Sequence, residues 1–458
     1  MSVKEFFSLA FGSMVGIGWV ISVPAWMSSA GSIGAIISVI VTMLLIIPIG
    51  FVYGELTSSL HVDGGEFAYT YKALGKVSAF ICGWFLIMGY VIILPWVAIS
   101  VSDLLAYMFP IMDSLTLYTS LGNPVYLPHV LVSFLMIGVI GFLNWEGAKQ
   151  SSYFQIIATT LMIVTFLVFI FGGFISGSTS NMQPLFTSNR ITSGIAGAIG
   201  SIIFFMNGFD TIPKAAKEAN SHINFSNLGK SIVGTIIAGS VLYMIIVLSS
   251  SFIMPAGQLV ELGELPLITA FENISGSMFL TTIVILGVLL GVITTFNGFM
   301  FAGSRLITSF SKAGFLPKNL SSTNPVHKTP RSSLIFLFSF SIIGVLLGDG
   351  LLEPLMNMGG TAFLIAWFFV SLSSVRLRQK HPNLKRPYQA PGGIYMGYIA
   401  TVFSGFLLSL IIIPGTPISL QGVEYVLFIA WILIGLVAYI MLHNKDIELE
   451  KINDNKGA

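Results

Sequence analysis

The chain is poor in charge. Of its 458 residues only 9% are Asp, Glu, Lys or Arg, while 55% are hydrophobic. A soluble globular protein carries about 25% charged residues. This chain has too little polar surface to face water on every side, so its main solvent is the lipid bilayer. A net charge of +2 is too small to point to a nucleic-acid partner. The single cysteine, Cys82, lies inside an apolar run, which excludes an intrachain disulfide. No Cys/His grouping has metal-ligand spacing, so neither a metal site nor a bound cofactor is expected. HExxH, a phosphate loop and a nucleophile beside a base are also missing from the spans. The six histidines fall at span ends or in loops. A membrane-embedded enzyme is therefore the weaker alternative class. A channel would need rings of polar or charged side chains, usually from a symmetric oligomer, and nothing in the sequence fixes an oligomeric state. The N-terminal stretch MSVKEFFSLAFGSM has no small-residue cleavage site and reads as the first membrane helix, not a removable signal.

What the sequence has is long apolar runs. About 20 apolar residues as a helix cross a hydrocarbon core of about 30 Å. Twelve such runs can be drawn, roughly 5–29, 33–60, 77–110, 127–146, 152–176, 194–213, 229–253, 276–310, 331–348, 354–375, 393–414 and 422–442. They lack strict alternation, and an open sheet cannot span lipid. The expected fold class is an all-α polytopic membrane protein with twelve transmembrane helices. Charge agrees with that count. With the N-terminus in the cytoplasm, the inside loops receive Lys72, Lys76, Lys149, Lys214, Lys217, Lys230, Lys312, Lys318, Lys328, Arg331 and the run from Arg376 to Arg386. The outside loops hold Arg190 as their basic residue, with Glu261, Glu264, Asp349 and Glu353. Excess Lys and Arg on cytoplasmic loops is the usual orientation signal. It places both termini inside the plasma (cytoplasmic) membrane, with residues 444–458 as a cytoplasmic tail.

Two spans are interrupted. The first carries Gly12, Gly16 and Gly18 within seven residues, each costing a continuous helix about 1 kcal/mol relative to Ala. Such glycines serve either close helix packing or a break where a ligand meets the backbone. The sixth span carries Asn207, Gly208, Asp210 and Pro213 in an otherwise apolar stretch. Breaks in the first and sixth of twelve spans are the pattern of two five-helix halves of opposite orientation, with a site at mid-membrane. Half-helix N-termini offer N–H groups to a carboxylate, and half-helix C-termini offer carbonyls to an ammonium. Together they suit a zwitterion such as an amino acid.

At these residues the sequence resembles the amino acid–polyamine–organocation (APC) superfamily of amino acid permeases and exchangers, over nearly the whole chain. The similar stretches are Gly12 to Gly18 followed by Pro24; Tyr53-Gly54-Glu55-Leu56 followed by Gly64-Gly65-Glu66-Phe67-Ala68-Tyr69; Phe204 to Asp210 followed by Ala216-Lys217-Glu218-Ala219-Asn220; and Asn297, Arg305, Gly314, Pro317 and Thr329-Pro330. The resemblance implies the leucine-transporter fold. Residues 1–176 would form the first repeat of five helices and 190–376 the inverted second, with two trailing helices in 392–443. It implies alternating access, spans 1, 2, 6 and 7 rocking against a scaffold. By position, Val15, Gly16, Ile17 and Gly18 would take the substrate carboxylate. Met14 and the carbonyls of Phe204, Phe205 and Asn207 would take the amine, with Phe204 as an aromatic gate. Trp19 would narrow the pocket, and Tyr90, Ile93, Trp96 and Asn297 would complete its wall.

The coupling ion is open between H+ and Na+, as is symport against exchange. Asp210 is the one ionisable group read inside a broken span. Desolvation would raise its pKa and suit a proton-coupling or gating role, and the alternative is a neutral Asp capping N–H groups at the break. Some proton-coupled relatives place a lysine in the fifth span, and Met162 stands at that position here. Thr294 and Thr295 lie where sodium-coupled relatives of the fold place hydroxyl ligands, though membrane threonines also bond their own backbone. Glu55, Glu66 and Glu218 are expected near the cytoplasmic face, tying loops or latching the inward gate. No lysine or arginine is placed at mid-membrane. An apolar pocket without a second charge favours a neutral amino acid. The alternative cargo is a small organic amine such as ethanolamine, or less readily a polyamine, with Asp210 reaching the amine.

Overall fold

A computed structural model of the protein describes residues 1–442 except 61, 188–190, 221, 264, 326, 328 and 417. The tail 444–458, Arg190, Glu264 and Lys328 therefore lie outside the described residues, as do the side chains of Asp349 and Glu353. The chain forms helices α1 (Val3–Met14), α2 (Gly18–Ala30), α3 (Ser32–Ser59), α4 (Glu66–Leu74) and α5 (Lys76–Met108). Strands β1 (Thr116–Ser120) and β2 (Asn123–Tyr126) follow. Then come α6 (Leu127–Glu146), α7 (Ala148–Ser176), α8 (Ile191–Phe205), α9 (Thr211–Ala215), α10 (Ser226–Ile253), α11 (Ala256–Val260) and α12 (Pro266–Ser275). The last are α13 (Met278–Lys312), α14 (Arg331–Leu347), α15 (Asp349–Lys380), α16 (Ile394–Ile412) and α17 (Gly422–Leu442).

Among the described residues, nine helices are long and apolar enough to cross a membrane, and the bent pair α1–α2 makes a tenth. Helix is the outcome physics requires of such runs, because it satisfies every backbone group within the segment. The apolar helices α8 and α14 are shorter. The sixth run, drawn to 213 on hydropathy, leaves helix at Phe205, eight residues early. The all-α expectation needs one correction, an antiparallel hairpin of β1 and β2 between α5 and α6. It lies outside the spans, so it does not meet the constraint that lipid imposes. Tyr118 and Ser120 anchor it by donating to the carbonyls of Leu346 and Leu347 at the end of α14.

The core is built by long-range pairs. α3 packs on α10, α5 on α15 and α13, and α7 on α13. α17 is largely exposed, with Ile429, Leu433, Ile440 and Met441 turned outward, as a lipid-facing helix should be. On the face that carries the N-terminus, the Met1 amino group bonds Asn220 Oδ1 at 3.0 Å. Nearby, the buried Glu55 at the end of α3 accepts Arg378 Nε at 2.8 Å, Arg386 Nε at 3.2 Å and the Ala390 N–H at 2.8 Å. That pairing ties α3 to α15 and to the loop before α16.

Candidate functional site

The two breaks meet. α1 stops at Met14, residues 15–17 leave the helix, and α2 restarts at Gly18 with its axis bent by 53°. α2 has no side-chain cap, and the Val20 N–H is taken by the Ile17 carbonyl at 2.9 Å, which leaves the N–H groups of Gly18 and Trp19 at the helix start to face a ligand. α8 stops at Phe205, and α9 restarts at Thr211 after five intervening residues. Gly208 makes the crossing. Its φ is +131°, and a Cβ there would lie 2.6 Å from the Met14 backbone nitrogen. Only a residue without Cβ allows both. α13 holds the first break from behind. Thr294 and Thr295 both donate to the Gly12 carbonyl, at 3.1 and 3.0 Å, and Thr294 also to the Gly291 carbonyl at 2.9 Å.

Between the breaks lies a space of about 30 Å³, room for little more than one water molecule and in that sense closed to a solute. Met14, Gly16, Ile17, Gly18, Ile93, Trp96, Phe204, Phe205 and Asn207, all singled out from the sequence, line it together with Thr295. Ser13, Val97, Val292 and Phe299 also line it and were not singled out from sequence. Helical spacing could have found three of them. Val97 is one turn beyond Ile93, and Val292 and Phe299 share a face with Thr295.

Four other residues singled out from the sequence point elsewhere. Val15 turns its carbonyl toward Gly291 of α13. Trp19 is fully buried edge-on against Phe166 and Phe169, at ring separations of 5.3 and 4.8 Å. Tyr90 turns its hydroxyl to Asp210 at 3.3 Å. Asn297 sits in a buried polar cluster, bonded to Asn144 at 2.8 Å, Ser151 at 2.9 Å and Gln155 at 2.7 Å. A buried amide must be satisfied internally, and here α6 and α7 satisfy it. The acceptor expected at the Phe204 carbonyl already receives Asn207 Nδ2 at 2.9 Å. Asn207 Oδ1 is buried on this space without a partner.

The largest correction concerns a single basic residue. Lys214, assigned from sequence to a loop, is fully buried. Its ammonium meets Glu66 Oε1 at 2.6 Å, Asp210 Oδ2 at 2.9 Å and the Asp210 carbonyl at 2.9 Å. The i, i+4 spacing of Asp210 and Lys214 was the available signal. Asp210 Oδ1 accepts the Gly208 N–H at 2.9 Å, and its other oxygen accepts Lys214 and Tyr90. Every partner is a donor, so both Asp210 oxygens act as acceptors at the break. On α4, burial pushes the Glu66 carboxyl up to about 7, with Lys214 opposing and Asp210 adding to the rise.

That raised value has a sign for stability. Glu66 binds its proton more tightly folded than unfolded, so stability falls as pH rises from about 4.5 to about 7. The loss is on the order of 3 kcal/mol. Thermal melts in detergent should show a lower Tm at pH 8 than at pH 5.5. Glu66→Gln should remove most of the difference.

Two larger cavities flank the closed space. One, about 360 Å³, precedes the second break and includes Gly197, Gly200, Phe204, Phe205 and Gln421. The other, about 430 Å³, follows the break and includes Asp63, Lys214, Lys217, Glu218, Arg305 and Lys312. Glu218 pairs with Arg305 at 2.6 Å across the second cavity's wall. Among the described residues, no group of His, Cys, Asp and Glu could hold a metal ion.

A chain of lipid-length helices, folded around two broken ones with a closed space between larger cavities, is an integral multi-pass membrane transporter. It belongs to the amino acid permease family, whose sequence pattern matches residues 1–437. It is 27% identical to a branched-chain amino acid permease of Bacillus subtilis (strain 168), over 97% of this chain and 92% of the relative. It is 26% identical to a methylthioribose transporter of the same organism, over 98% and 95%. It is also 26% identical to an aspartate-proton symporter there, over 89% and 78%. The family and these relatives are carriers, not enzymes.

Proposed function

We propose that the protein carries a neutral, apolar amino acid across the plasma membrane by alternating access, with both termini in the cytoplasm. The observation that carries this reading is the meeting of the two breaks. The uncapped start of α2 faces the site from one side, and the unpartnered Asn207 Oδ1 faces it from the other. These suit a carboxylate and an ammonium. Ile17, Ile93, Trp96, Val97 and Phe204 leave an apolar wall for the side chain. Asp210 is engaged by three donors, which argues against its use as the binding group for ethanolamine or a polyamine.

Twelve spans follow if α1–α2 counts as one, and α8–α9 and α14 as one each. The packing pattern supports a five-plus-five repeat. Exchanging each helix for its counterpart turns the pair α5–α15 into α13–α7, α5–α6 into α13–α14, and α5–α14 into α13–α6. All six contacts occur. The closed space is too small for an amino acid, so the walls must part. The cavities before and after the second break are the two routes that parting would join to it, Phe204 separating the first and α9 the second.

Counterflow in proteoliposomes tests the reading. Labelled leucine, isoleucine or valine should enter vesicles preloaded with the same amino acid faster than unloaded ones. No counterflow across a panel of neutral amino acids would sink it. We propose the proton as the coupling ion. Sodium is the second reading, favoured by the convergence of the Thr294 and Thr295 hydroxyls with the Gly12 and Gly291 carbonyls. Those oxygens already close on one another, so uptake should be unchanged when choline replaces sodium. A steep sodium dependence abolished by Thr294→Val would reverse the choice.

A further inference from the structure

We infer that Glu66, Lys214 and Asp210 form a single proton-binding site in which Glu66 is the residue that gains and loses the coupling proton. This rests on the carrier reading above and names the group that does the coupling. The charge count comes first. Two carboxylates and one ammonium, all fully buried, sum to −1. An uncompensated buried charge costs several kcal/mol, and one added proton removes it. Hydrogen bonding then decides where the proton goes. Asp210 has both oxygens occupied by donors, whereas Glu66 Oε2 is buried with no partner. A protonated Glu66 keeps its Oε1 contact with Lys214, while a protonated Asp210 would give up a donor.

Among the described residues, Lys214 and Asp210 are the charged groups that act on Glu66. From α3 Tyr53 faces Glu66, from α5 Cys82 and Tyr90, and from α4 itself Tyr69. These groups are neutral near pH 7 at their ordinary values. On α13 and α15, Lys312 pairs with Asp63 and Lys380 with the Ala73 carbonyl. Burial leaves the Glu66 carboxyl titrating at about 7, where a transmembrane pH difference can load and unload it.

Position gives the site its role. Asp210 holds the Gly208 N–H at the break, next to Asn207 on the closed space. Lys214, four residues on, lines the 430 Å³ cavity. The acid–base chain therefore runs from the substrate space to that cavity. It also joins three separate elements, with Glu66 on α4, Asp210 and Lys214 at the broken sixth span, and Tyr90 on α5. Any movement of α9 that opens the substrate space toward the cavity pulls Lys214 from Glu66 and wets both. The proton on Glu66 then leaves to the water of that cavity, and the carboxylate takes its next proton from the side of the substrate space, by way of Asp210, only after the site has closed to the cavity and opened to the opposite side.

The test uses the full-length protein in proteoliposomes. In wild-type vesicles without a membrane potential, adding leucine should carry protons inward, read by an internal pH dye. An inward proton gradient should raise leucine accumulation several-fold. Glu66→Gln should abolish both signals and flatten the pH dependence of uptake between about 6 and 8. Leucine counterflow by Glu66→Gln should still be measurable. Wild-type counterflow without any leucine-dependent proton movement overturns the inference and leaves the carrier reading standing. Proton-driven accumulation that survives Glu66→Gln also overturns it. Absence of counterflow from wild type defeats the carrier reading itself.

Discussion

Gly208→Ala is expected to lower amino acid uptake on the order of 100-fold, with a lower Tm. The residue sits at φ +131°, and the new Cβ would lie 2.6 Å from the Met14 nitrogen and 2.8 Å from its Cα. Both neighbours are backbone, so no rotamer change relieves the overlap. Overpacking costs about 1–3 kcal/mol, and a non-glycine residue in such a backbone region costs about 1–3 kcal/mol more. The only relief is to separate the end of α1 from the second break, and that separation destroys the site. Gly234→Ala on α10 is the control, since nothing lies within 4 Å of the methyl it would add. It should leave uptake within about twofold, as expected of a surface change worth under about 0.5 kcal/mol. Wild-type transport by Gly208→Ala would mean that the crossing of the breaks is not needed.

Lys214→Met should be the most destabilising single change in the network. It keeps the length of the side chain but leaves Asp210 and Glu66 facing each other without a cation. Breaking a buried pair in this way costs about 3–5 kcal/mol. Low recovery from membranes and a sharply reduced Tm in detergent are the expected readings. Adding Glu66→Gln to Lys214→Met removes one of the two stranded charges and should recover part of the loss. A Lys214→Met protein with wild-type Tm would mean that the three side chains do not share a dry environment.

Much of this site was legible because polar and flexible residues are conspicuous in an apolar chain. Gly12, Gly16 and Gly18, and Asn207 with Gly208, mark the breaks without any structural input, and the lining residues on those segments follow from backbone position. Side chains on unbroken helices were harder. Trp19 and Asn297 were assigned to the pocket by position, but a helical side chain's direction depends on its register, and one step rotates it about 100°. Lys214 was misread for a different reason. It stands one residue after Pro213 at the end of a hydropathy window, where the charge rule counts every lysine as a loop lysine. Its burial comes from α9 being five residues long and from α4 folding over it, and both are tertiary facts. The hairpin hid because its turn places Leu121 at φ +47° beside Gly122 at +93°. Leucine is not a residue that announces such a turn.

The central claim is that the two breaks recognise both ends of a zwitterion. Competition against labelled leucine counterflow in proteoliposomes tests it most directly, using unlabelled leucine, 3-methylbutylamine and 4-methylpentanoate. The amine lacks the carboxylate and the acid lacks the ammonium, while the apolar part is nearly the same. Each lost charge-assisted contact is worth about 1.5–3 kcal/mol, so each analogue should compete about 10- to 100-fold less well than leucine. If the amine or the acid competes as well as leucine, the break at that end does not bind the substrate, and the zwitterion site is wrong.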